Sequence, residues 1–567
     1  GIFGILPSFR SFVIPLFFLI TMIKNMRSGA PNLFKEGSRH FSGLETVVLK
    51  NIQACVDLAS ITRTSMGPTG MNKMVINYLQ KLFITSDAAT IIKEMEVVHP
   101  AAKMVVLAAG MQQKEIGDGS NFVVIFAGEL CQMAEDMIHE GHHTRDIVTG
   151  YNMALKKSLE ILDELVVRTE VDLKNVEVLS RGMRAAVSAK LYGYEDFLCE
   201  LIAKACCTVM PKESFNFAVD NVRVCKVVGG QVYGSEMISG MVLDRMVEGN
   251  VHKVKDAKIA LFVGSVDTSS TETKGTVLLK DAEQLLKYNI GEEQMMEKII
   301  QQFADLGVNV VISGSNVSDM AMHFLEKHKI LVLRVSSKFE LRRVCRTIKC
   351  RPHVQFGPAE KEYLGHCSRV YVREIGATKV TVFEQSEMNS SVATVLVRGS
   401  TQNIVDDVER AVDDGVNIVK AMSKDARFLA GGGAVEIELS RRLQTFGSEE
   451  SSIAQYSIKK FAEALEVIPR ALAESSGMNQ TAIVSDLFAA HNSDEKDCSH
   501  VGVDIEAGKI GNMVSKDILD LHIAKRTALK LATDAVTTII RVDQMIMAKA
   551  AGGPKMGQKK GHWDQED

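Results

Sequence analysis

The sequence predicts a multidomain protein of mixed α+β and α/β class, in which an α/β unit is inserted between two halves of a mainly helical domain. Three observations predict it. The chain has 567 residues, more than one hydrophobic core usually supports, and a prior of roughly 150 residues per domain suggests about three or four domains. Both ends carry apolar residues at helical spacing. The middle alternates short β-type runs with helical stretches, the pattern of a sheet covered by helices.

Each element follows from local pattern. Leu44, Val47, Val48, Ile52, Val56 and Ile61 recur at helical spacing up to Arg63, and Gly67-Pro68-Thr69-Gly70 ends the run. Two apolar runs, Met74 to Ile76 and Leu82 to Ile84, flank a polar turn and predict a hairpin. Further helices are expected from Asp87, from Ser120 and near Arg145, and in the C-terminal part after the glycines at 431 to 433, through Ile453 to Ala473, and over Ile523 to Ile540. Between them, β-type runs at Ile259 to Val263, Val308 to Ile312 and Ile330 to Val335 alternate with helical stretches at Asp281 to Ala304, Val317 to Lys327 and Lys338 to Thr347. Such alternation predicts a largely parallel sheet.

Composition narrows the function. Apolar residues make up 46% and charged residues 24%, with a formal charge of −4, so no field gathers nucleic acid or an acidic membrane surface. The ten cysteines contain no CxxC pair and are expected to be reduced core thiols. His139, His142 and His143 are interrupted by Gly141 and are read as a helix end, not a metal site. Phe12 to Ile23 is almost wholly apolar between Arg10 and Lys24, the texture of a signal-peptide core, but it is shorter than the span of about 20 residues a membrane helix needs. A membrane-anchored protein would rest on residues 1–25 alone. The native protein is expected to start at or near Met26, and the Gly- and Lys-rich tail from Gly552 to Asp567 is expected to be disordered.

Four segments could carry chemistry. Gly67-Pro68-Thr69-Gly70 is either a helix stop or a loop whose N–H groups cradle a phosphate. Gly117-Asp118-Gly119-Ser120-Asn121 opens a helix. Asp118 there is either a cap or the holder of a Mg²⁺ that lets phosphate approach. Asp87 stands at another helix start, and Gly431-Gly432-Gly433 at a third. The chain lacks GxxxxGK[ST], which excludes an ordinary P-loop NTPase. On the helix Asn403 to Ala421, at about 100° per residue, Asp413 falls opposite the apolar stripe while Asp414 and Asp407 lie at its edge. Only an edge position can be half-buried and still reach a site.

Taken in this order, the segments resemble the nucleotide site of the group II chaperonins, and MGPTGMNKM, TSDAAT, GDGSN, VRGST, ERAVDDGVN, AGGGAVEIEL and GVDIEAG carry the likeness. LFKEGSRHFSGLE, EMEVVHPAAKM and RVDQMIMAKAAGGPK are similar to the eukaryotic cytosolic TRiC/CCT branch. The resemblance implies a mainly helical equatorial ATPase domain at 26–150 and 423–551, a small intermediate hinge domain at 151–228 and 381–422, and an inserted α/β apical domain with a helical lid protrusion at 229–380. Residues 1–25 would be an atypical extension and 552–567 a tail. It implies ATP and Mg²⁺ as cofactors. Gly67, Pro68, Gly70, Thr90, Gly119, Ser120, Asn121 and Gly432 would line the phosphates, Asp118 would hold the metal, Asp87 and Asp414 would position water, and Asp520 would meet the ribose.

Client proteins would touch Phe339, Arg342, Cys345 and Arg346. The implied partners are paralogous subunits in a double-ring hetero-hexadecamer and non-native clients such as actin and tubulin, in the cytoplasm, with no nucleic acid and no membrane. Asn121, Ala88, Asp517 and Ala430 depart from the family pattern. They leave open a subunit that binds clients and completes the ring with weak or absent turnover.

Overall fold

The computed structural model describes residues 39–42, 44–170, 172–211, 217–267, 282–358, 360–376, 378–386, 391–493 and 498–547. The apolar segment before Met26, the expected start there and the tail from Gly552 lie outside them. The chain divides into two compact units. In one, Arg39–Ser42 pairs antiparallel with Gln544–Met547, with His40 opposite Ile546. The other, Asn51–Ile540, holds every element discussed below.

Its helical part is assembled from both ends of the sequence. Helices Pro100–Glu115, Ser120–His139 and Thr144–Glu164 pack against Ala434–Glu449, Ala454–Ala464 and His522–Ile540. Aromatic rings fix the centre: Phe126 meets Phe461 edge-on at 5.4 Å, and Tyr151 lies 5.7 Å from the same ring, an arrangement favoured by opposed ring quadrupoles. The Tyr151 hydroxyl donates to the Leu130 carbonyl at 2.9 Å, so the buried ring leaves no polar atom unpaired. The predicted hairpin forms with Met74 opposite Ile84. The histidine cluster is a helix junction as expected: His143 caps Thr144–Glu164, its Nδ1 accepting from the Arg145 amide at 3.1 Å.

A second core joins helices Val176–Ser188, Glu195–Val209 and Gln402–Met422 to strands Val222–Val228 and Ala393–Gly399. Those strands begin an eight-stranded sheet, which continues through Glu236–Leu243, Thr378–Glu384, Gly365–Ile375, Lys253–Phe262 and Val310–Ser313 to Leu331–Arg334. Period-two alternation sorts side chains to its faces. Ile259, Leu261, Val310, Ile312, Leu331 and Leu333 meet helix Lys338–Ile348 on one side. Ala260, Phe262, Val311 and Val332 meet helices Ala282–Asp305 and Asp319–Lys327 on the other. Helices thus cover both faces of this part of the sheet.

The expectation of a largely parallel sheet is corrected. The strands read from sequence do run parallel to one another, but Gly365–Ile375 and Thr378–Glu384 form a long antiparallel hairpin within the same sheet. Gly365–Ile375, with Arg369, Arg373 and Glu374 exposed, lacks the continuous apolar run that marked the other three.

Phe461 should dominate the helical core. Phe461→Ala is expected to lower the urea stability of the isolated chain by roughly 3–5 kcal/mol, whereas Phe339→Ala, at a side chain 74% exposed, should leave the midpoint unchanged. Equal midpoints for both variants would contradict the packing described.

Candidate functional site

One cavity of about 430 Å³ lies within the range of roughly 300–1,000 Å³ typical of ligand sites. The turns that make its wall come from segments far apart in sequence. Gly67 and Pro68 follow the first long helix, Asp118 to Phe122 open Ser120–His139, Gly432 and Gly433 precede Ala434–Glu449, and Asp520 leads into His522–Ile540. Two helix N-termini, at Ser120 and Ala434, thus face one space, where unpaired N–H groups and the positive ends of helix dipoles favour an anion. Gly432 sits at φ +64, and a Cβ there would stand 3.0 Å from the Val503 carbonyl oxygen, so any side chain would both strain the turn and crowd the backbone. Val503, Ile505, Ile468 and Leu472 give the same cavity an apolar side.

Of the residues singled out from sequence, Gly67, Pro68, Asp118, Gly119, Ser120, Asn121, Gly432 and Asp520 line this cavity. Gly70, Thr90, Asp87 and Asp414 stand outside that lining. Gly70 closes the loop on itself, its amide donating to the Gly67 carbonyl at 3.1 Å, and an added Cβ would lie 2.6 Å from the Ser65 carbonyl oxygen. Thr90 serves Asp87, donating its hydroxyl at 2.6 Å and its amide at 3.1 Å to Oδ2. Departures from the family pattern also find physical places. Asp517 adopts φ +55, a left-handed conformation that glycine takes at less cost. Asn121 turns its amide toward the Thr62 carbonyl at 3.3 Å.

Behind the phosphate side, two carboxylates and an ammonium are packed out of water. Lys190, just past helix Val176–Ser188, ion-pairs with Asp87 and stands 3.3 Å from Asp414 Oδ2. Asp414 is 2% exposed, and Gln113 Nε2 donates to its Oδ1 at 2.5 Å. The expected half-buried edge position is therefore a fully buried one, because Gly117 lets the neighbouring turn approach: a Cβ there would lie 2.5 Å from Asn417 Cβ. Asp413 is exposed on the other face, as its helical angle predicts. Burial pushes the Asp414 carboxyl up to about 7 against the pull of Lys190, with Asp87 and Asp118 adding to the rise. Burial acts in the same sense on Asp87, but the Lys190 charge and the hydrogen bonds from Lys190 and Thr90 outweigh it and bring that carboxyl to about 2. Asp118 is raised by burial and by the nearby Asp520.

On the far side of the cavity, buried Lys525 joins Glu436 to Asp520, the latter at 3.1 Å, and lies 5.0 Å over the Phe122 ring. Sequence reading missed Lys190, Gln113, Glu436 and Lys525. Lys525 had a signal, since it shares a helix stripe with Ala528, Leu529 and Ala532. Lys190 had none.

The donor set suits a divalent cation shared with a ligand. Asp118 borders the cavity with no ion pair among the described residues, and no cluster of three or more metal-binding side chains occurs among them. Mg²⁺ is held by one or two carboxylates with ligand phosphates completing its shell, so a single carboxylate beside an anion cradle fits it.

The TCP-1/cpn60 chaperonin family profile matches residues 58–550. The chain belongs to this family. The chaperonin chain is 48% identical over 540 residues to T-complex protein 1 subunit theta of Gallus gallus, covering 95% of this chain and 98% of that one. It is 47% identical to the Homo sapiens theta subunit over the same span. Against the Caenorhabditis elegans theta subunit it is 46% identical over 546 residues, 96% and 99% of the two chains. Among the described residues of the chaperonin chain, no helix is long and apolar enough to cross a membrane.

Lys190 should be the keystone of the buried group. Lys190→Met would leave Asp87 and Asp414 uncompensated, and breaking a buried pair this way costs roughly 3–5 kcal/mol. The expected readout is a lower unfolding midpoint at pH 8 that recovers in part at pH 5, where both acids can take protons. A midpoint equally low at both pH values would show that charge compensation is not what Lys190 supplies.

Proposed function

We propose that this chain is one subunit of a hetero-oligomeric ring chaperonin of the cytosol that couples ATP hydrolysis to the folding of non-native proteins. Family membership supports the chaperonin role, and the theta names of its relatives support a place among paralogous subunits. In this reading the two-ended helical part is the equatorial ATPase domain, the core around helix Gln402–Met422 is the hinge, and the inserted α/β unit is the apical domain.

The observation that carries the ATPase reading is the meeting of Asp414 with Asp87 and Lys190 behind the anion cradle. Attack of water on a γ-phosphate asks the protein mainly for position and charge compensation. Bound Mg²⁺ would offset phosphate charge, with Asp118 holding it. Gly67, Gly119, Ser120 and Gly432 hold the phosphates by backbone N–H groups and Pro68 stiffens the first loop, while Asp87 and Asp414 orient the water. Asp87 is anchored in the hairpin-to-helix turn of the first half, whereas Asp414 lies beyond the insertion on Gln402–Met422. Their juxtaposition therefore depends on where that helix docks, and hydrolysis is tied to closure of the hinge. Asp520, steadied by Lys525, meets the ribose.

Clients meet the apical helix Lys338–Ile348. Phe339, Arg342 and Arg346 are exposed on one side, while Cys345 is half-buried and Val344 belongs to the core. An apolar ring among guanidinium groups favours clients with apolar and acidic patches.

In assembled rings carrying the change in this subunit alone, Asp414→Ala should slow its hydrolysis by roughly 10²–10⁴-fold with nucleotide affinity nearly unchanged. Asp118→Ala should weaken Mg²⁺-nucleotide binding itself, and Asp413→Ala should do little. Equal losses from Asp413→Ala and Asp414→Ala would refute the assignment.

The protonation of Asp414 gives a second test. Its carboxyl, raised to about 7, must be ionised to orient water, so single-turnover hydrolysis should climb as pH rises through about 7 and level off above it. The facing groups, Asp87 well below its ordinary value and Lys190 well above its own, do not titrate there, and Asp118 is raised by burial and by Asp520. Asp414→Asn should therefore give slow turnover with the step removed. A step retained at the same pH in that variant would assign it to another group.

A further inference from the structure

The helix Lys338–Ile348 ends in an unusual pair of side chains. Lys349 takes φ +54, and the Cys350 amide donates to the Cys345 carbonyl at 3.1 Å. This is the six-to-one closure of a Schellman turn, which sets the side chain three positions before the cap against the one two positions after it. Apolar residues usually make that contact. Here both are cysteines, Cys345 and Cys350.

Accessibility separates the two thiols. Cys350 is buried in the apical core, against Gly365, where an added Cβ would come within 2.9 Å of Cys350 Cβ. Cys345 is half-buried and open to solvent at one side. Arg342, Arg343, Arg346, Lys349 and Arg351 flank the pair in sequence. The neighbouring Cys350 thiol lowers that of Cys345 against the effect of burial, while Cys345 and burial together raise that of Cys350.

We propose that Cys345 and Cys350 are a redox-responsive dithiol that a hydroperoxide converts to a disulfide. The Cys345 thiolate attacks one peroxide oxygen, the O–O bond breaks, and the leaving oxygen departs as water after taking a proton. The sulfur becomes a sulfenic acid. Cys350 then attacks that sulfur, the S–O bond breaks, and hydroxide leaves as a second water with the Cys350 proton. With hydrogen peroxide, two thiols give one disulfide and two waters, sulfur being oxidised and peroxide oxygen reduced. Thiol reductants reverse the bond by exchange.

Elsewhere the chain supplies its own comparison. Cys55 and Cys131 are also neighbouring thiols, but both are fully buried and the Cys131 thiol is pushed up, so they are expected to be inert. The cross-link would clamp the end of the helix that presents Phe339, Arg342 and Arg346. Its formation does not depend on clients binding there or on turnover at the nucleotide site.

The test uses the assembled chaperonin, treated with hydrogen peroxide, alkylated, then reduced and alkylated again with a heavier reagent. Trypsin cuts after Arg346 and Lys349, so the disulfide would appear as two linked peptides. The expected result is equal loss of first-label alkylation at Cys345 and Cys350, full restoration by dithiothreitol, and no change at Cys55 or Cys131. In Cys350→Ser, Cys345 should stop at a sulfenic acid that dimedone traps. The proposal fails if wild-type Cys345 proceeds to sulfinic acid while Cys350 stays alkylatable. It also fails if Cys345 links instead to Cys367, or if both thiols are as inert as Cys55.

Discussion

The ammonium of Lys190 is the interaction on which the rest of the site depends. Two carboxylates cannot be packed side by side out of water unless a cation or a proton offsets them. Lys190 satisfies Asp87 through a direct ion pair and reaches Asp414 only across 3.3 Å without hydrogen-bond geometry. The asymmetry explains why one carboxyl is held at about 2 and its neighbour at about 7. One acid is a fixed charge. The other is poised, with an oxygen still lacking a hydrogen-bond partner, and a water molecule or a phosphate-bound hydroxyl can supply one.

That arrangement is reached only because backbone, not side chain, makes the approach surfaces. Helix Gln402–Met422 comes close enough to bury Asp414 because residue 117 has no Cβ, and the loop before Ala434 can turn under Val503 because residue 432 has none. The same economy serves the cavity, where N–H groups at helix starts face the space that side chains would otherwise fill. Cations are kept to its margins: Lys525 is tied up by Glu436 and Asp520. The anion cradle is thus mostly backbone, with Lys525 already paired beside it and Asp118 left without an ion pair among the described residues.

Much of this was legible in the sequence, for reasons that differ by element. Glycine runs and acid-capped helix starts are local features, so Gly67, Asp118, Gly119 and Gly432 could be placed without knowing the fold. Helical angle separated Asp413 from Asp414, and period two separated the sheet's faces. Asp414 was nevertheless placed at the edge of its stripe, because a wheel describes one helix and not the Gly117 turn that covers it. The bonds Gly70 makes to Gly67 and Thr90 makes to Asp87 were not legible, because they are set by which way a short loop closes. Lys190 was invisible for a deeper reason: nothing within its own segment distinguishes a buried ammonium from a solvated one until Asp87 and Asp414 arrive from positions far away in the chain.

The same reasoning bears on how the site can communicate with the inserted domain. Asp87 and Lys190 precede the α/β unit in sequence and Asp414 follows it, so the cluster fastens the two strands of chain that enter and leave that unit. Helix Gln402–Met422 continues directly from strand Ala393–Gly399, which pairs in parallel with Val222–Val228 and antiparallel with Glu236–Leu243. Any change in where Asp414 sits must therefore be transmitted to a strand shared with the eight-stranded sheet, or be absorbed at the short connection through Thr401, whose hydroxyl caps the helix by accepting from the Ile404 amide. A capped, rigid helix joined to a paired strand absorbs little. The preference of the Asp414 carboxylate for its docked place, set by Lys190, Gln113 and its own proton, is the quantity through which events at the cavity can bias the strand and sheet to which its helix is joined.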